Sequence, residues 1–112
     1  MRRVRARLEP RGLVLRVEVP TARPERIRGL LGREHLPEGD ALLLERTRSV
    51  HTFGMRFPIA VALLDARFAV LEVRVMEPGT LLLPRRGVRH VLECGVDEDI
   101  RVGDTIVVEA AV

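Results

Sequence analysis

The stretch that decides the fold begins Ile59-Ala60-Val61-Ala62-Leu63-Leu64, turns at Asp65-Ala66-Arg67, and runs from Phe68 to Met76 through Leu71-Glu72-Val73-Arg74-Val75. Ile59 to Leu64 is apolar at every position, so both faces of a strand there must be covered, the mark of a central strand. Beyond the turn, Leu71, Val73 and Val75 alternate with Glu72, Arg74 and Met76, which predicts a second strand and a hairpin between the two.

Working outward, the same alternation recurs at the start of the chain. Val4, Ala6 and Leu8 alternate with Arg5 and Arg7, and every odd position from Leu13 to Val19 is apolar. Glu9-Pro10-Arg11-Gly12 between them has turn chemistry, because proline fixes φ and glycine tolerates positive φ, so another hairpin is expected. After Thr21 the period changes. Pro24, Glu25, Ile27, Leu30 and Leu31 fit one short α-helix over about 24–31, with Gly29 as a close-packing position and Gly32 as its cap. Pro37-Glu38-Gly39-Asp40 marks a turn, and short strands are expected at Ala41–Glu45, Leu81–Leu83, Val88–Glu93 and Thr105–Ala110. Arg46 to Arg56 has no period. Many short strands with turn signals between them predict a mainly β fold, a β-sandwich or distorted barrel of mostly antiparallel strands with that one helix.

With 112 residues, the chain has the size of one domain, expected to span residues 1–112. Apolar residues make up 46% and aromatics only 3%, so the core must be aliphatic, built around Phe53, Phe57 and Phe68. No lysine occurs; the 19 basic residues are all arginine, and 16 acidic residues leave a net charge of +3. That small excess neither proves nor excludes nucleic-acid binding, which needs charge clustered on one face, but aromatic interleaving for stacking on bases is absent and nucleic acid is not the expected partner. Arg3, Arg5 and Arg7 share a strand face and with Arg2 and Arg11 form the densest basic patch. Charges on a terminal edge strand also serve to prevent sheet-to-sheet aggregation. One cysteine, Cys94, excludes an internal disulfide. The N-terminal residues lack the apolar run of a signal peptide, and no stretch approaches the ~20 apolar residues of a membrane span, so the expected location is cytoplasmic without membrane contact.

Three stretches in order resemble DUF192, a bacterial and archaeal domain of unknown function. They are Thr21 with Glu25-Arg26 leading to Gly29-Leu30-Leu31-Gly32-Arg33, His51-Thr52-Phe53-Gly54-Met55-Arg56-Phe57-Pro58-Ile59 running to Leu64-Asp65, and Val91-Leu92-Glu93 with Gly103-Asp104. The middle stretch is the specific one. The resemblance implies a compact β-sandwich-like or barrel-like domain with one short helix, and it implies no activity. Two departures stand out: the family usually has an acidic residue where this chain has Ala60, and a Leu-rich Pro-Ala-Gly segment where it has Cys94-Gly95-Val96.

The strongest candidate site is the loop from His51 to Arg56, with Arg33 as a neighbour through the fold. A histidine, a hydroxyl, a flexible glycine and a guanidinium in six residues before a central strand can bind an anion or a small polar ligand. The candidate ligand-binding residues are Arg33, His51, Thr52, Met55, Arg56, Asp65 and Glu93. The competing structural account has Phe53 and Met55 plugging the core while His51 and Arg56 clamp carbonyls and acids. Asp65 also has a plain turn role. No catalytic residue is assigned. His35, His51, His90 and Cys94 lack the spacing of a metal site, so neither metal nor cofactor is expected. The leading expectation is a noncatalytic binding module for a small anionic ligand or an acidic segment of a partner protein. The alternatives are a hydrolase or lyase with His51 as acid or base, which requires a carboxylate beside it, and a structural or accessory protein-interaction domain.

Overall fold

The two alternating stretches near the start of the chain pair as expected in the computed structural model, which describes residues 2–21, 30 and 33–111. Strand β1 (Arg2–Glu9) runs antiparallel to β2 (Leu13–Val19), with Ala6 opposite Leu15 and Val4 opposite Val17. Val4, Ala6, Leu8, Leu15, Val17 and Val19 are buried on one face, and Arg3, Arg5, Arg7, Val14 and Arg16 lie on the other. Gly12 closes the turn at a φ of 81°, a backbone conformation that L side chains avoid, and its N–H donates to the Leu8 carbonyl at 2.7 Å.

Seven further strands follow: β3 (Asp40–Leu44), β4 (Val50–His51), β5 (Ile59–Leu64), β6 (Val70–Met76), β7 (Leu81–Leu82), β8 (His90–Cys94) and β9 (Thr105–Ala111). Seven strands of the described residues build one curled sheet, a half-barrel in the order β6-β5-β8-β3-β2-β1-β9, and β4 pairs with β7 apart from it. Neighbours are antiparallel except β2 and β3, which run parallel through Arg16–Asp40, Val17–Ala41 and Glu18–Leu42. A second sheet of two-residue strands is too small to be the facing layer of a sandwich, so of the two expected architectures the chain adopts the barrel-like one. The helix expected over 24–31 lies outside the described residues apart from Leu30, a buried turn residue, and no helix occurs among the described residues.

Curling brings the two edge strands together at one corner. Ala69 bridges Thr105, the Val70 N–H donates to Asp104 C=O at 2.7 Å, and the Ile106 N–H donates to Phe68 C=O at 3.0 Å. The inner face is thereby closed around an aliphatic cluster that includes Ala6, Leu15, Val17, Leu43, Ala62, Leu92, Val70 and Ile106. A second cluster lies on the outer face of β3, β5 and β8, where Leu42, Val61, Leu63 and Val91 are covered by Leu30, Val50, Met55, Leu82 and Val88. All six residues of β5 are buried, as a strand apolar on both faces requires. Two expectations need correction. Phe53 is not a core residue but 51% exposed, because it occupies a surface turn. The alternation across Leu71, Val73 and Val75 also fails to give one buried face, since the β5–β6 register slips between Leu63 and Leu64. Leu71 is the extra residue of that bulge and points away from the core, while Val75 lies near the open end of an edge strand.

Candidate functional site

The segment from β4 to β5 must cross the outer core to reach the far end of the sheet, and Thr52 fixes its path. This threonine is fully buried. Its hydroxyl donates to Glu77 C=O at 2.6 Å and accepts from the Thr80 N–H at 2.9 Å. Its own N–H donates to Thr80 C=O, and its carbonyl accepts from Gly79 at 2.9 Å and from Met55 at 3.1 Å. The Thr52–Met55 bond closes a tight turn in which Gly54 takes a φ of 81°, as a type II turn demands at its third residue. Met55 then drops into the outer core while Phe53 and Arg56 are left at the surface. The loop is thus a rigid platform carrying exposed groups.

Those groups are His51, Phe53 and Arg56. The His51 ring stacks on Phe53, with centroids 5.2 Å apart and planes inclined by 21°. Arg56 has a side chain 63% exposed, and its contact among the described residues is a long 3.5 Å approach to the highly exposed Glu34. Arg33, next to Glu34 in the chain, donates instead to Glu18 at 2.7 Å. It also bears on Glu93, a carboxyl on the outer face of β8 that is 4% exposed; burial pushes its pKa up to about 7, and the Arg33 charge draws it back down. Arg33, Arg56 and Glu34 therefore share one side of the outer cover, with Glu93 beneath it.

Asp65 stands apart at the other end of β5. Its Oδ1 accepts from the N–H groups of Arg67 at 2.8 Å and Ala69 at 3.0 Å, and these bonds hold its carboxyl below the usual carboxylate range. This is the turn role that its position suggests. Glu34, Glu18 and the Glu77–Thr80 turn were not singled out by sequence; each becomes a neighbour only through long-range contacts. Phe53 could have been flagged by the Gly54 beside it, since a turn there exposes its predecessor.

The other candidates are engaged elsewhere. Along β1, Arg5 lies 3.6 Å from Glu109, Arg7 pairs with Glu9 and Glu109, and Arg2 lies 3.6 Å from Glu45, so the basic stripe is interleaved with acids. His90 stacks on Phe68 at 4.1 Å and its Nδ1 accepts from the Arg46 N–H at 3.0 Å. Burial pushes the Cys94 thiol up to about 12, so it is no nucleophile at neutral pH. Ala60, where the resembled family usually carries an acid, is buried on the inner face opposite Cys94 and Val75. Among the described residues no three His, Cys, Asp or Glu side chains gather in a way that could hold a metal ion.

Comparison with known proteins agrees with this architecture. The DUF192 family model, described as uncharacterized ACR, matches residues 6–108. No curated protein matches the chain. A protein of unknown function from Novosphingobium aromaticivorans DSM 12444 superposes with a TM-score of 0.79 at 20% identity, over 94% of this chain and 84% of that one. A putative transcription regulator from Sinorhizobium meliloti 1021 superposes with a TM-score of 0.78 at 20% identity, over 95% of this chain and 93% of that one. At such identity these likenesses show a shared fold alone.

Proposed function

The chain belongs to the DUF192 family, whose model covers nearly its whole length, and from that premise we propose that this member is a noncatalytic binding module for a small anion. The observation that carries the reading is Arg56, a largely exposed guanidinium whose partner among the described residues is the single loose contact to Glu34, mounted on a loop that Thr52 makes rigid. The stacked His51 and Phe53 rings offer a flat wall beside it, suited to an anion with a planar body. Catalysis is less well supported. The hydrolase or lyase reading needs a carboxylate beside His51, and among the described residues no hydrogen bond reaches that side chain. Glu93, whose carboxyl burial pushes up to about 7, is enclosed beneath the outer cover.

Titration with inorganic phosphate and with benzoate, followed by amide NMR shifts, tests the proposal. Saturable shifts over 51–56 are expected, lost in Arg56→Ala with the melting temperature unchanged. A wild type that shows no saturable shift there, or an Arg56→Ala variant that unfolds, overturns it in favour of a purely structural loop.

A further inference from the structure

The sheet has two edges, and they are guarded differently. On β9 the register shifts opposite Arg5 and Ala6, leaving Glu109 as an extra residue that joins the ionic row with Arg5 and Arg7. A bulge and a row of charges are the usual protection of an exposed edge. On β6, pairing with the opposite edge stops at the corner, where Ala69 meets Thr105. From Glu72 to Met76 the strand has β5 on one side and no proline or bulge, and Val75 is 62% exposed. Between it and β7 lies an open groove of about 440 Å³, bordered by Val73, Val75, Thr80 and the exposed Leu81. The bulge at Leu71 marks one limit of this stretch, and among the described residues no strand covers its open side from Glu72 to Met76.

The sequence of the edge says which strand fits. Read outward from Val73, β6 is its own antiparallel complement over the stretch beyond its bulge: Glu72 and Arg74 flank the centre symmetrically. Under a two-fold axis through Val73, each Glu72 lies opposite an Arg74 of the other copy, and each Val75 faces the bulge at Leu71. Within one copy, Glu72 already accepts from Arg74 at 2.9 Å and from Arg85 at 3.2 Å, so the charged row is aligned at the surface before any partner arrives. Opposite charges directly across an antiparallel pair stabilise it, and like charges in the same place oppose it.

We propose that a second copy of this chain occupies the β6 edge, pairing antiparallel about Val73 to extend the curled sheet across a two-fold axis. The contact is isologous, so it closes at two copies. It leaves the His51–Arg56 loop outside the paired residues, and the inference is independent of the function proposed above.

Sedimentation velocity across the micromolar range tests it. The wild type is expected to dimerise. Glu72→Arg and Arg74→Glu singly place like charges opposite each other twice per interface and should weaken self-association by roughly tenfold or more. The double reversal Glu72→Arg/Arg74→Glu restores opposite pairs and should restore the dimer, a rescue that loss of fold cannot imitate. If a single reversal unfolds by circular dichroism, Val75→Lys, at an exposed position, is expected to give a folded monomer. A monomeric wild type at the highest concentration, or a dimer indifferent to all these changes, overturns the proposal; the first would leave the edge to a strand from another protein.

Discussion

Glu93 sits between Leu42 of β3 and Val61 of β5 in the sheet register, buried, with the Arg33 charge acting on its carboxyl. Burial raises its pKa from an ordinary 4.5 to about 7. The folded protein therefore binds this proton more tightly than the unfolded chain does. Its contribution to stability is greatest below the unfolded value, declines as the pH climbs from there to the folded value, and is flat above. A decline of order 3 kcal/mol between about pH 5 and about pH 8 is expected from a shift of this size. Glu93→Gln, which mimics the protonated carboxyl, should match the wild type at about pH 5 and exceed it in stability at about pH 8. Urea denaturation at both pH values checks this; parallel stability curves for the two proteins would show that Glu93 is ionised in the fold. Legibility at this scale depended on whether a residue's role is local. The turn role of Asp65 was open to the sequence because the N–H groups that donate to its carboxylate lie two and four residues away. The anchoring by Thr52 was not, because its partners sit 25 and 28 residues further along the chain.

Among the elements, the β1–β2 turn and the loop before β9 are joined by one ionic clasp. Arg11 Nε and a terminal nitrogen donate to the two oxygens of Asp104 at 3.1 and 2.6 Å, and the Arg101 N–H adds a third bond at 2.9 Å. Asp104 is a buried polar side chain, and these bonds hold its carboxyl below the ordinary range. Its main chain accepts from Val70 at the corner where the sheet edges meet, so the clasp supports that closure. Asp104→Ala should cost about 1.5–3 kcal/mol, the range for hydrogen bonds to a charged group. Chemical denaturation at neutral pH measures the loss, and a change below about 0.5 kcal/mol would show that the corner closes without the clasp. Of the elements, β1, β2 and β5 were legible because burial writes a period into sequence: one face covered gives alternation, two faces covered give an unbroken apolar run. Strand β4 was not, because its two residues are extended only by pairing with Leu81 and Leu82. The parallel pairing of β2 with β3 also left no trace, since strand order depends on contacts between segments that local pattern does not encode. The surface position of Phe53 follows from the turn, which overrode the general tendency of aromatics to be buried.

For the whole molecule, the order of strands ranks how firmly each part is held. Strands β3, β5 and β8 have neighbours on both sides and apolar cover on both faces, whereas β4 and β7 share two rungs and β9, beyond its bridge to Ala69 at the corner, is paired with β1 on one side. Native-state hydrogen exchange is expected to follow that ranking, with amides of β5 and β8 slowest and those of β4, β7 and the end of β9 fastest. Uniform protection across all of them would show that the curled sheet opens only as a unit. The β1–β9 pair has a further consequence. Val4 lies across from Ala111 and Glu9 across from Thr105, so the two outermost stretches of chain leave the sheet at the same end. A force applied between them acts across the ladder, opening one rung at a time in the manner of a zipper, instead of loading all rungs together as a sliding pair would. Pulling β1 against β9 thus loads their pairing in its least resistant direction.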